Sequence, residues 1–341
     1  MQYTQYLLTG ATGFLGRAVA KLLTDRGASV RALVCPNDPL RTYLDTRIEV
    51  VYGDVTEDAS LDAFFRGSGT QSCVIHCAGI VSVASQPGKR LFDVNVGGTA
   101  HMIRHSQEQG VGKFVYVSTV HAIPEKPNRA QIQEVDAFSP RLVHGAYAQS
   151  KAEATALVLQ AAHAGLNASV VHPSGIIGPG DLAGGSITGM LVSYLAGKLP
   201  FAVQGGYDFV DVRDVAQGIV SCAEKGVSGR CYILSGRYVT VQQMLTYVRR
   251  LSGGRRILSY LPLRVAALFA PIAEKVSLRR KTPLYFTPLS VSVLASNGNF
   301  SHARATAELG YEPRPMQNTL RDTLFFLRTR YRGVPLHTGI G

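Results

Sequence analysis

Tyr147 and Lys151 stand four residues apart in the stretch HGAYAQSKAEA. Four residues is just over one helical turn, so in a helix the phenol and the ammonium project from one face. A free tyrosine has a pKa of about 10, which makes it a poor base and a sluggish acid at neutral pH. A cation held beside it favours the phenolate and brings that pKa nearer the working pH. The pair reads as a proton donor and its tuner, provided other elements bring a reactant to it. Ser118 and Thr119, ending the apolar run KFVYVST, add two hydroxyls that either cap backbone groups or face that reactant.

The elements that must position these groups follow a regular alternation. YLLTG reads as a strand, and LGRAVAKLLTDRG as a helix stopped by Gly27. SVRALV, IEVVYGDV, SCVIHCAG, KFVYVST and NASVVHPSGIIGPGD read as five further strands, with helical patterns such as SLDAFFRG and NVGGTAHMIRHSQEQG between them. Such alternation predicts parallel βαβ units, hence an α/β, Rossmann-type doubly wound parallel sheet. The expected division is a dinucleotide-binding domain over residues 1–176, with strand and helix contributions from about 205–235. A smaller substrate-binding lobe is expected over most of 177–341.

Between the first strand and first helix lies TGATGFLG, with Gly10, Gly13 and Gly16 spaced G-x-x-G-x-x-G. The first glycine permits the tight turn, the second lets backbone approach a pyrophosphate, and the third lets helix pack on strand. The helix start then offers free N–H groups and the positive end of its dipole to phosphate.

TGATGFLG, GDV, HCAG, NVGGT, YVST and YAQSK, in this order over residues 3 to about 180, resemble the extended short-chain dehydrogenase/reductase family, the NAD-dependent epimerase/dehydratase superfamily. FVDVRDVA extends the likeness to residue 216. The resemblance implies a nicotinamide dinucleotide. Gly10, Ala11, Thr12, Gly13, Phe14, Leu15 and Gly16 would hold the pyrophosphate, and Asp54 and Val55 the adenine. Cys77, Ala78, Gly79 and Val117 would line the path to the nicotinamide ribose, and Pro173, Ser174 and Ile176 would meet the nicotinamide. It also implies that Tyr147 exchanges a proton with the substrate oxygen, that Lys151 additionally binds the ribose, and that Thr119 orients that oxygen. Asn95 is expected to organise hydrogen bonds. In Asp211, Arg213 and Asp214 a salt-bridged helix start is expected, fixing the two lobes together. The sugar-nucleotide dehydratases of the family follow the hydroxyl residue with two acids, whereas Val120 and His121 stand here. His121 and His144 are read as ordinary polar residues. Cys35 occupies the place where NADP-dependent relatives often carry arginine. Since no acid ends the second strand, Arg31 or Arg41 is left to meet a 2′-phosphate, with Asp38 farther on, and NADP is slightly favoured over NAD.

Five cysteines without a CxxC pair, and nine histidines without ligand spacing, point to a reduced cytoplasmic chain with no metal site. No signal peptide and no membrane-spanning run are read from the sequence. Of the net charge of +12, the residues from Val241 onward carry +11. There YLPLRVAALFAPIAEKV sets Leu261, Val265, Leu268, Phe269, Ile272 and Val276 on one helical stripe, with Pro271 expected to kink it. The basic-aromatic SLRRKTPLYFTPL follows. The stripe is expected to be core, with peripheral contact to an anionic membrane as the alternative. Within the family this greasy lobe resembles the dihydroflavonol 4-reductase and 3β-hydroxysteroid dehydrogenase branch, whose substrates are apolar. The expected protein is thus an NAD(P)-dependent oxidoreductase interconverting a small secondary alcohol and a ketone. An NDP-sugar epimerase with tightly bound NAD and a non-catalytic dinucleotide sensor are the alternatives. Nucleic acid is not an expected partner, and a homodimer is.

Overall fold

The structure, a computed structural model, describes residues 2–85, 88–253, 256–280 and 286–330. Lys281 of the basic-aromatic stretch and the end of the expected substrate lobe, residues 331–341, lie outside these. In chain order come β1 (Gln5–Thr9), α1 (Phe14–Asp25), β2 (Ser29–Val34), β3 (Glu49–Tyr52), α2 (Asp58–Phe65) and β4 (Ser72–His76). The short α3 (Arg90–Phe92) and a π-helical turn, Asp93–Gly98, lead into α4 (Thr99–Glu108), then β5 (Lys113–Val117), α5 (Ala146–His163) and β6 (Ala168–Pro173).

The second half is less regular. It holds β7 (Gly175–Ile177), α6 (Ser186–Leu195), β8 (Phe201–Val203), β9 (Gly206–Asp211), α7 (Val212–Lys225), β10 (Cys231–Leu234), β11 (Arg237–Thr240) and α8 (Val241–Ser252). Then follow β12 (Ser259–Leu261), α9 (Leu263–Arg280), α10 (Pro288–Ala295), α11 (Ala303–Leu309) and α12 (Met316–Arg330).

Seven parallel strands form the central sheet in the order β10-β6-β5-β4-β1-β2-β3, a doubly wound Rossmann-type fold. Side chains along a strand alternate between faces. Leu7 of β1 joins the core beneath α2, α4 and α5 with Leu61, Met102 and Val158. Its neighbours Tyr6 and Leu8 join the opposite core with Val19 of α1, Ile219 of α7 and Leu309 of α11. Both faces are covered, which is why these strands read as near-continuous apolar runs. The winding reverses between β1 and β4, the crevice where ligands bind in such sheets.

The expected sixth strand is two: Ser174 separates β6 from β7, which leaves the main sheet and joins β9 and β11. The seventh position is filled by β10 alongside β6. At the start of α7, Asp211 caps the helix through the Arg213 N–H (2.8 Å) and pairs with the Arg213 guanidinium (2.7 Å). Arg213 continues to Asp322 of α12 (2.9 Å), and Arg314 reaches Asp214 (2.7 Å) and Asp211 (3.7 Å). The Asp214 carboxylate is buried and paired with Arg314, so removing that cation leaves buried charge uncompensated. Arg314→Met is expected to cost about 2 kcal/mol, read as a lower chemical-denaturation midpoint. An unchanged midpoint would mean that this tie contributes nothing to stability.

Candidate active site

The loop after β1 and the backbone after β4 pass each other at the crevice with no room for a side chain. Gly10 has φ +71°, and a Cβ on it would sit 2.8 Å from the backbone at Cys77 and Ala78. A Cβ on Gly16 would lie 2.0 Å from the Gly10 carbonyl oxygen. α1 starts from Gly13 with no side chain capping its first turn. Its N–H groups and dipole therefore face the crevice, a cradle that fits a pyrophosphate. Thr9 braces the crossing: its hydroxyl accepts from the Ala78 N–H (3.1 Å) and bonds His76 Nδ1 (2.7 Å). Burial holds the His76 imidazole down at about 3, so it is neutral.

Lys151 lies within α5, almost fully buried, and donates from Nζ to the Val117 carbonyl at the end of β5 (2.6 Å). Its ammonium sits 4.2 Å from the centre of the Tyr116 ring, and a Cβ on Gly79 would come within 3.8 Å of it. Burial pulls it down to about 7. One turn earlier, burial pushes the Tyr147 phenol up to about 12, against the opposing hydrogen bond of the Thr119 side chain. The expectation that the lysine lowers the tyrosine pKa is therefore corrected. Desolvation governs both groups here, and the ammonium is turned to a carbonyl.

The two hydroxyls at the end of β5 part company. Ser118 Oγ bonds Thr155 Oγ1 on α5 (2.7 Å), a packing contact, whereas Thr119 meets Tyr147. Thr119 also caps the turn Val120–Ala122 through the His121 N–H (3.3 Å), and its carbonyl accepts from His172 Nδ1 (2.9 Å). Asn95 accepts from the Ile80 N–H (2.7 Å) and donates to the Ile80 carbonyl and Ser150 Oγ (each 3.0 Å). It thereby ties the loop after β4 to α5 at the residue before Lys151. His144 is exposed, but His121 stacks on Tyr207, ring centres 5.4 Å apart and 10° from parallel. Tyr207, sixty residues along and close enough to feel the Tyr147 phenol, had no local sequence signal.

Other expected cofactor residues divide. Cys77, with its thiol pushed up by burial to about 12, lies near Lys151, and Ala78 and Gly79 continue that wall. Pro173 ends β6, and Ser174 stands beside the Asp208 carboxyl, which burial raises to about 6. Ile176 lies in β7. The Asp54 carboxylate is turned inward to the Thr56 N–H and hydroxyl (both 2.9 Å), and Val55 packs beneath Gly98. Arg31 is not at the crevice. It lies mid-strand in β2, donating to the Phe64 and Arg66 carbonyls (3.1 and 2.7 Å) and pairing with Glu49 (2.9 Å). Arg41 donates to the Pro36 carbonyl (2.6 Å). Asp38 arrives instead: its Oδ2 accepts from the Thr12 hydroxyl of the glycine loop (2.6 Å).

The depressed Lys151 value has a measurable consequence. Between about 7 and the ordinary lysine value the unfolded chain holds a proton that the folded one has lost, so stability attributable to this group rises with pH across that window. Lys151→Met removes the effect. Its thermal midpoint, relative to wild type, is expected to be highest at neutral pH and to fall back toward pH ~10. A pH-independent difference would contradict the depressed value.

Comparison with known proteins agrees with this geometry. The chain is 29% identical over 329 residues to sterol demethylase protein B of Methylococcus capsulatus, covering 95% of this chain and 98% of that one. It is 26% identical over 324 residues to a 3-beta-hydroxysteroid dehydrogenase of Mycolicibacterium neoaurum, covering 90% and 86%. The crystal structure of gox2253 superposes with a TM-score of 0.82 at 28% identity, covering 97% and 99%. A sequence model of the NAD dependent epimerase/dehydratase family matches residues 6–235, and with the cradle, the crevice and the Thr119, Tyr147 and Lys151 cluster in place, the chain belongs to that family.

Proposed function

We propose that the protein is an NAD(P)-dependent oxidoreductase that interconverts a secondary alcohol and a ketone on an apolar substrate. The observation that carries this reading is the buried Lys151 ammonium, held by the Val117 carbonyl beside Gly79 of the dinucleotide cradle and one turn from Tyr147, with the Thr119 side chain near that phenol. A bound nicotinamide dinucleotide would supply the hydride donor or acceptor. The residues fitted to hold it are Gly10, Gly13 and Gly16 at the pyrophosphate, Cys77, Ala78 and Gly79 along the crevice, and Lys151 at the ribose.

Thr119 and Tyr147 offer two hydroxyl donors to one substrate oxygen. With its phenol at about 12, Tyr147 keeps its proton at neutral pH and can give it to a ketone oxygen as negative charge gathers there. In the alcohol-oxidising direction it must first lose that proton, which the raised pKa of the buried phenol opposes. An apolar substrate is supported by the stacked His121 and Tyr207 rings and by Leu289 of α10 against Gly145, two residues before the phenol. The names of the two curated relatives, which refer to sterols and steroids, point the same way.

Tyr147→Phe is expected to lower turnover of added NAD(P)H with a cyclic ketone by roughly 10²–10⁴-fold, and Thr119→Val by more than Thr119→Ser. Below the phenol's pKa, alcohol oxidation should rise with pH by up to about tenfold per unit, while ketone reduction does not. If purified protein retains NAD and shows no net turnover of added cofactor, the reading shifts to an epimerase.

We infer, further, a preference for NAD over NADP. The Asp38 carboxylate at the glycine loop can accept from a ribose 2′-hydroxyl and repels a 2′-phosphate. Arg31, which could have received that phosphate, is bound elsewhere. Calorimetric titration should show tighter binding of NADH than NADPH, and Asp38→Asn should narrow the difference. Tighter NADPH binding by the wild type would sink this preference.

A further inference from the structure

The large apolar side chains of α9 point away from the protein. Its buried positions are Ala266, Ala270 and Glu274, one per turn, with the two alanines seated against Val291 of α10 and near Val203, Leu263 and Phe286. The opposite side exposes Val265, Leu268, Phe269, Ile272 and Val276, with Leu268 at 70% and Ile272 at 60%. The stripe expected to be core is therefore surface, except for Leu261, which belongs to β12. A helix serving only the protein's own core would bury the large residues and expose the small ones. A continuous exposed apolar stripe marks an interaction surface.

Charge identifies what covers it. Arg264, Lys275, Arg279 and Arg280 of the same helix are exposed around the stripe. Glu274, its one acid, faces inward, where Oε1 accepts from the Ser85 N–H (2.8 Å) and Oε2 from the Ser85 hydroxyl (2.7 Å). The outer side of α9 thus carries four cations and no anion among its apolar groups. A second copy presenting this face would set like charge against like charge, which opposes a two-fold contact. A bilayer surface with anionic head groups complements it, since the apolar side chains enter the acyl boundary while Lys and Arg reach the phosphates.

We propose that α9 is a docking helix that lays this face into the interface of an anionic phospholipid bilayer. The contact is peripheral, because no helix among the described residues is long and apolar enough to cross a membrane. α9 holds the loop after β4 through Ser85. The Thr287 hydroxyl beside α10 donates to the Val83 carbonyl of the same loop (2.8 Å), and Leu289 lies against Gly145. Docking therefore sets the substrate side of the site next to the bilayer. That last consequence rests on the apolar-substrate reading; the docking itself does not.

The chain contains no tryptophan, so Phe269→Trp creates a single fluorescent reporter on this face. At low salt, vesicles of phosphatidylcholine with phosphatidylglycerol should shift its emission to the blue and sediment the protein. Phosphatidylcholine alone should not, and high salt should reverse the effect. In the wild-type background, the double change Leu268→Glu and Ile272→Glu should weaken vesicle binding on the order of tenfold or more, while NADH titration, which reports the folded cradle, stays unchanged. The proposal is overturned if anionic vesicles leave the emission unshifted, or if the double variant binds them as wild type does. It is equally overturned if the reporter is already blue-shifted without lipid in a dimer that the double change dissociates.

Discussion

Two backbone segments at the β1–β4 crevice pass so closely that no side chain fits between them. Gly10 touches the chain at Cys77 and Ala78, and Gly16 touches Gly10. This approach brings the unpaired N–H groups of α1 to the mouth of the crevice and fixes the distance from the phosphate cradle to the wall near Lys151. The constraint is steric, and the sheet order supplies it: β1 lies directly beside β4 although sixty-seven residues separate their paired positions Gln5 and Ser72. Thr9, His76 and Thr99 lock the crossing with a neutral, fully buried hydrogen-bond chain. A charged histidine there would lack a counter-ion, and desolvation keeps it neutral.

Desolvation also sets the character of the cluster around Tyr147 and Lys151. Burial moves a phenol up and an ammonium down, so both groups tend toward their neutral forms. The Val117 carbonyl and the Tyr116 ring hold the ammonium without neutralising it. The cluster at rest is thus a protonated phenol beside a lysine poised near neutrality, an arrangement suited to giving a proton. Each pKa here is set by its local environment rather than by a permanent ion pair.

The second half of the chain adds a three-stranded and a two-stranded sheet beside the main one. It is fastened at three places by buried carboxylates: Asp211 and Asp214 at the start of α7, and Glu274 on α9. Each carboxylate accepts from both backbone and side-chain donors, the condition under which buried charge is tolerated. With these anchors in place, α9 packs through alanines and leaves its bulk outside.

The sequence by itself determined the alternating strands and helices, the glycine cradle, and the choice of Tyr147 and Lys151, because each is written in local spacing. Periodicity of two or 3.6 and a four-residue interval survive in one dimension. The resemblance had already singled out Thr119, and the packing of α5 on β5 adds only that the Ser118 hydroxyl is taken up by Thr155. Removal of Arg31 from the crevice, arrival of Asp38 at Thr12, and the stacking of Tyr207 on His121 join residues far apart in the chain, and no local pattern encodes them. The direction of the α9 stripe was undetermined for a related reason. A helical period states that one face is apolar, but only the neighbours supplied by the tertiary structure decide whether that face is turned to the core or away from it.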